Sequence, residues 1–177
     1  LDWARGLRAM ASCDAEVLLP GHGLPITGAD RVRTALTDSA ELLEHLYTEV
    51  LTMMNAGARL DEIIHTVRAP HHLIEKPYLR PIYDEPEFIV HNVWRLLGGW
   101  YDGNPANILP AHSEEIAREL IAATGSAPLL ARARSLHQSG QTQLACHLVD
   151  WVRKGEPESR EAWTLWRDLF AERAAKE

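Results

Sequence analysis

The chain has 177 residues, of which 46% are apolar and 24% are charged, so it has enough apolar material for one medium-sized domain with a packed core. Its formal net charge is −7 at pH 7, and its Lys and Arg residues are scattered among acids, which argues against the concentrated basic surface of a nucleic-acid-binding protein. The two cysteines, Cys13 and Cys146, lie outside any CxxC motif, which argues against a disulfide scaffold and a zinc finger.

No stretch of the chain approaches the roughly 18 apolar residues that a membrane-spanning helix needs. The first ten residues, LDWARGLRAM, form an amphipathic segment without the charged and apolar regions of a signal peptide. The chain also begins without Met, which indicates a piece of a longer polypeptide. We therefore expect a soluble protein without a membrane span, and we prefer a cytoplasmic location to a periplasmic one.

The N-terminal 28 residues combine one helix with one short strand. Apolar side chains recur at helical spacing at Trp3, Leu7 and Met10, which predicts a helix over 2–11. Residues 16–20, Glu-Val-Leu-Leu-Pro, have strand character that ends at the proline. The tripeptide Gly21-His22-Gly23 then predicts a tight turn. These elements are typical of the end of an α/β layer.

From residue 29 to residue 55 apolar side chains recur every three to four residues, which predicts one long helix. Asp30 lies in its first turn, and Asn55-Ala56-Gly57 ends it in the manner of a glycine C-cap. At 1.5 Å per residue such a helix is about 39 Å long. Helices of this length often form the spine of a dimer or a bundle, and we expect this one to form a dimer interface.

Shorter helices are predicted after it, over 60–67, 85–97, 113–124, 127–138, 141–153 and 159–173. Ser113 and Ser126 are the expected N-caps of two of them. Prolines make 69–83 irregular, and 100–110 is rich in turn residues. The short connections favour antiparallel neighbours. The sequence therefore predicts a mostly α-helical fold.

The C-terminal segment 113–174 has a tetratricopeptide-like pattern. Within it, the positions of Gly140, Ala145 and Pro157 resemble one tetratricopeptide hairpin. Only one such unit is visible, so a repeat array is not supported and a plain helical hairpin is the other interpretation.

His22 is the most informative single residue for chemistry. Its two glycine neighbours allow a sharp turn that projects the imidazole from the end of the strand, and neutral imidazole is a common ligand of zinc. The alternative is an ordinary turn. His71 and His72 are adjacent and point in different directions, so they do not form a metal site by themselves. The chain contains no HExxH, GxSxG, GxGxxG or Walker motif.

A second cluster joins a helix to a polar loop. His91 and Asn92 lie on the helix that leads to Trp100-Tyr-Asp-Gly-Asn-Pro105. Asn, Asp and Gly at this density usually fix a turn through hydrogen bonds from side chain to backbone. In that interpretation Asp102 and Asn104 hold the loop, and Trp100 packs in the core.

Three segments together resemble the alkylsulfatase branch of the metallo-β-lactamase superfamily: Pro20–Gly28, Met53–Gly57 and Gly99–Ala106. Their order and spacing agree with that family over nearly the whole chain, and Gly-Trp-Tyr-Asp-Gly-Asn-Pro is the most distinctive element. The resemblance implies a two-zinc enzyme that hydrolyses alkyl sulfate esters. It also implies an αββα metal-binding domain, a central helical dimerisation domain and often a C-terminal sterol-carrier-like domain.

By this resemblance, residues 1–28 are the C-terminal remnant of the metallo-β-lactamase-like domain, and 29–177 are the helical dimerisation domain. His22 then corresponds to the last histidine ligand of the zinc pair in the intact parent. The His-x-His-x-Asp-His signature is absent from this chain, and a catalytic zinc needs about three protein ligands. We therefore expect this piece to be free of metal and inactive alone.

The helical domain is expected to mediate homodimerisation and to form part of the substrate mouth, with Tyr83, His91 and Asn92 as candidates for its lining. The acidic segment after Tyr83 departs from the family pattern and puts the substrate class in doubt, because carboxylates repel a sulfate anion. The expected partners are a second copy of the chain and the missing N-terminal metal-binding domain. A free-standing helical adaptor that binds a peptide is the alternative function.

Overall fold

The computed structural model describes residues 1–82 and 84–176. These residues form nine α-helices and one two-stranded sheet, which confirms the predicted mostly α-helical fold. The chain divides into two units, Leu1–Ile108 and Leu109–Glu177. None of the described helices is long and apolar enough to cross a membrane.

The first unit contains a small hairpin among its helices. Its elements are α1 (Asp2–Ala11), β1 (Val17–Leu18), β2 (Ile26–Thr27), α2 (Ala29–Asn55), α3 (Leu60–Thr66), α4 (His71–Ile74), α5 (Pro86–Gly98) and a 3₁₀ turn at Pro105–Asn107. The two strands are antiparallel, with Val17 opposite Thr27 and Leu18 opposite Ile26. The predicted strand over 16–20 is thus shorter than expected, and it ends before Pro20, which has no N–H to donate to a ladder.

Helix α2 organises this unit because its two halves bury different neighbours. Its N-terminal half packs on α1 in a cluster of Ala4, Leu7, Val32, Leu36 and Ala40. Its C-terminal half packs on α3, α4 and α5 in a cluster of Leu42, Leu46, Val50, Ile63, Val67, Leu73, Val90 and Val93. None of the large exposed apolar side chains of the described residues belongs to α2.

The proline-rich segment contains one helix that the sequence pattern did not predict. Helix α4 begins directly after Pro70, whose missing N–H costs nothing at a helix start. Its Leu73 is only 1% exposed, in the second cluster of α2. Burial of this one leucine contributes about 1.5–3 kcal/mol, which offsets part of the conformational entropy lost when this short segment becomes ordered.

The second unit consists of α6 (Ser113–Thr124), α7 (Ser126–Gln138), α8 (Thr142–Gly155) and α9 (Arg160–Lys176). Helix α8 is central and contacts the other three. The core of this unit is formed by Leu130, Ala133, Leu136, Ala145, Cys146, Val149, Val152, Ala162 and Leu169. At Gly155 an added Cβ would lie 2.5 Å from Cδ1 of Ile121 and 3.1 Å from the carbonyl carbon of Ala117. Glycine is therefore what lets α8 approach α6 so closely.

The predicted N-caps of α6 and α7 are each displaced by one residue. Ser113 and Ser126 are the first helical residues, and the N-cap positions belong to His112 and Gly125, without a side-chain cap hydrogen bond. Gly125 has φ of 81° and both ends α6 and starts α7. Because L side chains rarely adopt this conformation, the junction is set by the glycine rather than by the serine that follows it.

Candidate functional site

His22 lies in the loop between β1 and β2, and its side chain is exposed. The base of this loop is closed by a hydrogen bond from the backbone N of Gly28 to the backbone O of Glu16, at 2.7 Å. Gly23 has φ of 95°, a backbone conformation that favours glycine. The tripeptide around His22 is therefore a surface turn, and it presents the imidazole at the end of the hairpin.

Among the described residues, His22 does not belong to a group of three or more potential metal ligands. Within 1–82 and 84–176 no group of three or more His, Cys, Asp or Glu side chains is placed to hold a metal ion. A catalytic zinc takes about three protein ligands and keeps one position open. A catalytic zinc site at His22 would therefore need ligands beyond the described residues.

The loop after α5 is held by its own side chains. The Oδ1 atom of Asp102 accepts a hydrogen bond from the backbone N of Asn104 at 2.8 Å, and its Oδ2 atom accepts one from Nδ2 of Asn107 at 2.5 Å. The Oδ1 atom of Asn104 in turn accepts from the backbone N of Ala106 at 3.1 Å. The backbone N–H of Asn104, followed by the amide of Asn107, lowers the pKa of Asp102. Asp102 and Asn104 therefore fix the turn, as the interpretation from turn chemistry predicts.

The same loop packs on the start of α3. The backbone O of Asp102 accepts a hydrogen bond from the N of Leu60 at 3.3 Å, which satisfies one of the unpaired N–H groups at a helix N-terminus. Gly103 has φ of 91°, and an added Cβ would lie 2.9 Å from Cγ of Arg59. Both the conformation and the available space thus require glycine at position 103.

Trp100, however, is 72% exposed, so the expectation that it packs in the core is wrong.

Helix α5 carries two of the predicted site residues on its outer side. Val90 and Val93 bury the inner side against α2, whereas His91 and Asn92 are exposed. Phe88 and Leu96, one turn before and one turn after Asn92, are 53% and 72% exposed. Polar side chains are therefore flanked by apolar ones on this surface. Tyr83, the third candidate, lies outside the described residues.

An ionic cluster that no sequence motif predicts links α2 to the segment after α4. Asp38 is only 8% exposed, and its Oδ2 atom accepts hydrogen bonds from Nζ of Lys76 and from the hydroxyl of Tyr78, each at 2.5 Å. Nearby, Nε2 of His72 lies 3.5 Å from Oε1 of Glu41. The sequence carries one signal of this cluster. Asp38 lies between Ala35 and Leu42 at a position where the helical spacing of apolar residues predicts a buried side chain.

This environment shifts the pKa values of both hydrogen-bonded partners. Burial favours the neutral form of Asp38, but the hydrogen bonds from Lys76 and Tyr78 outweigh it, so its pKa is lowered. For Tyr78, burial and then the hydrogen bond to Asp38 raise the pKa to about 12. Asp38 is thus a carboxylate and Tyr78 a neutral donor at pH 7. The cluster fixes the segment that leads towards residue 83 against α2.

Comparison with known proteins identifies relatives over nearly the whole chain. The family described as alkyl sulfatase dimerisation matches residues 59–177. A linear primary-alkylsulfatase from Pseudomonas sp. is 30% identical over 171 residues, which are 96% of this chain and 32% of that protein. An (R)-specific secondary-alkylsulfatase from Pseudomonas sp. is 32% identical over 157 residues, which are 88% of this chain and 24% of that protein.

A solved structure shows the same fold. The stereoselective inverting sec-alkylsulfatase Pisa1 from Pseudomonas sp. has a TM-score of 0.87 at 30% identity, over 94% of this chain and 27% of that chain. The chain thus spans about a third or less of the length of these relatives. Both the matching family and the relatives agree with the resemblance carried by the sequence motifs. The chain belongs to the alkyl sulfatase dimerisation family and is homologous to alkylsulfatases.

Proposed function

We propose that this chain is the pairing region of a zinc-dependent enzyme that hydrolyses alkyl sulfate esters, and that its own role is to bind a second copy of itself. The observation that carries this proposal is the match of residues 59–177 to the alkyl sulfatase dimerisation family. The same match favours a part of a hydrolase over a free-standing peptide-binding adaptor.

Residues 59–177 are the favoured place for the pairing surface, and the prediction that α2 forms it stays a prediction. The family match begins after that helix, and no large apolar side chain of α2 is among the exposed ones of the described residues. Several large apolar side chains within 59–177 are exposed, among them Ile116, Leu120, Leu144 and Trp163 of the second unit. Where such side chains adjoin one another, they provide the apolar patch that a protein contact uses.

In the intact enzyme the exposed imidazole of His22 would serve as one zinc ligand. The metal, when bound, supplies a nucleophilic water and neutralises negative charge on the ester. His91 and Asn92 carry groups that can donate hydrogen bonds to sulfate oxygens, and Phe88 and Leu96 beside Asn92 offer an apolar wall. Such a surface suits an ester with an anionic head and an apolar tail. Tyr83 stays a candidate for the same lining.

This chain alone is proposed to be inactive, because the described residues provide no group of ligands that holds a metal. The remaining ligands would come from the N-terminal metal-binding domain of the parent. Residues 1–28, with α1 and the hairpin, are proposed to be the last part of that domain, and 29–177 the helical dimerisation domain.

Light scattering coupled to size-exclusion chromatography tests the pairing. A monomer has a mass of 19.9 kDa, so the proposal expects about twice that mass at micromolar concentration, as for an obligate interface of more than about 2,000 Å². A strict monomer at the highest concentration would contradict pairing. The hydrolase is tested on the full-length parent with medium-chain alkyl sulfates, with and without a chelator, and activity that resists the chelator would contradict the zinc dependence.

A further inference from the structure

Residues 70–82 form a segment that lies on α2 with little apolar contact, and we call this segment the strap. Of its thirteen residues only Leu73 is buried, and seven are exposed. Its contact with the apolar cluster of α2, α3 and α5 comes from Leu73 and from the half-buried Leu79. Two leucines therefore form the apolar anchor of the strap in that cluster.

The backbone of the strap bonds to itself. The amides of Leu73 and Ile74 donate to the backbone O of Pro70, and those of Lys76 and Leu79 donate to O of Leu73 and O of Lys76. Among the described residues, no backbone hydrogen bond joins 70–82 to another element. A segment of this kind can separate from its neighbours without breaking any backbone hydrogen bond, so its opening costs only side-chain contacts.

The strongest of these side-chain contacts is a buried carboxylate on α2. Asp38 is 8% exposed, and its Oδ2 atom accepts hydrogen bonds from Nζ of Lys76 and the hydroxyl of Tyr78, each at 2.5 Å. Hydrogen bonds to a charged group are stronger than those between neutral groups. Both donors belong to the strap and the acceptor belongs to α2, so these two bonds break whenever the strap leaves the helix.

A second ionic contact is too exposed to hold the strap. Nε2 of His72 lies 3.5 Å from Oε1 of Glu41, and their side chains are 67% and 50% exposed. Ion pairs in contact with water contribute little to stability. The closed position of the strap therefore depends on the two leucines and on Asp38.

We propose that residues 70–82 open and close on α2 as one unit while the rest of the first unit stays folded, and that Asp38 is the latch that sets the closed population. In the open form Leu73 leaves the apolar cluster, and Lys76 and Tyr78 donate to water. The prolines at 70, 77 and 81 restrict the backbone of the strap, which favours movement as one piece over gradual fraying. Neither a second copy nor a substrate takes part, so this inference goes beyond the proposed function and is independent of it.

Native-state hydrogen exchange of the full chain, followed by mass spectrometry at rising urea concentrations below the unfolding transition, tests the inference. Amides of the strap should exchange at least about tenfold faster than those near Leu46 and Val50, which are 0% exposed on α2. Their exchange should also depend little on urea, because a local opening exposes little surface.

Three variants test the latch. Asp38→Asn should speed the exchange of the strap at least about tenfold, and the milder Tyr78→Phe at least about threefold. The matched control is Glu49→Gln, which removes an exposed carboxylate from the same helix and should change this rate less than about twofold. If Asp38→Asn does not fold, Tyr78→Phe decides the question.

Each result supports or overturns the inference. It fails if the strap and the centre of α2 exchange with the same urea dependence, because the strap then opens only when the whole unit unfolds. It also fails if the strap of the wild type exchanges as fast as an unstructured peptide, or if Asp38→Asn and Tyr78→Phe have no more effect than Glu49→Gln.

Discussion

Replacing Asp38 by Asn removes a buried negative charge while it keeps the shape of the side chain. The carboxylate accepts hydrogen bonds from Lys76 and Tyr78 and is only 8% exposed. A hydrogen bond to a charged group contributes about 1.5–3 kcal/mol to stability. Lys76 and Tyr78 are partly exposed and regain water in the variant, so we expect a loss of about 2 kcal/mol for the pair. For a chain of this size that corresponds to a fall of about 4–8 °C in the unfolding midpoint.

The loss should depend on pH with a defined sign. Since folding lowers the pKa of Asp38, its contribution is present above the unfolded-state value of about 3.8 and disappears as the pH falls through the lower folded-state value. Urea unfolding followed by circular dichroism at pH 7 and at pH 3 should therefore show a large difference between wild type and Asp38→Asn at pH 7 and a smaller one at pH 3.

Two further variants make this test specific. Glu49→Gln removes an exposed carboxylate from the same helix and should change the free energy of unfolding by less than about 0.5 kcal/mol. Tyr78→Phe deletes one donor and should cost about 1 kcal/mol. If Asp38→Asn is as stable as the wild type at pH 7, or if the difference is equally large at pH 3, the buried charge does not stabilise this unit.

Three other substitutions have expected outcomes. Gly155→Ala would place a Cβ 2.5 Å from Cδ1 of Ile121 and should destabilise the second unit by about 1–3 kcal/mol in urea unfolding. An unchanged unfolding midpoint would mean that α6 shifts away from α8 without loss of stability. Gly103→Ala requires alanine at φ of 91° and should cost about 1–2 kcal/mol by the same measurement, and no loss would contradict the strain. In the full-length enzyme His22→Ala should lower the rate of alkyl sulfate hydrolysis at least about 100-fold, which exceeds the usual loss when a residue that hydrogen-bonds to a metal ligand is removed. The control His71→Ala should leave the rate unchanged. If both variants hydrolyse the ester at the same rate, His22 is not a zinc ligand.

Local pattern was sufficient for most helices of this chain. Helices α1, α2 and α6 have the predicted bounds, because their apolar spacing acts within a few residues, and glycines follow the ends of α2 and α6. The resemblance to the family also rests on three short segments, and each of them depends on residues that are close together in the chain. Gly103 is required by its own φ and by the side chain of Arg59, so part of that motif encodes the fold rather than the chemistry.

Long-range contacts account for the differences between the predictions from the sequence and the structure. The short helix α4 is held by Leu73, which reaches the core around α2. Trp100 is exposed, whereas Nε1 of Trp94 donates a hydrogen bond to the backbone O of Tyr101 in the loop. His91 and Asn92 share an exposed side of α5, but their role depends on a surface that the described residues do not include. Their assignment to the substrate mouth, like that of His22 to zinc, stays a prediction.

Local patterns in the chain were enough to predict the helical class, the bounds of the long helix and the membership of the alkyl sulfatase dimerisation family. Tertiary packing was needed to bring Asp38 to Lys76 and Tyr78, nearly 40 positions away. Packing also buries Leu7 of α1 against α2 and leaves Trp3 exposed. Such pairings follow from which surfaces meet when the chain packs, and the free energy of burial that selects them is not a property of any local segment.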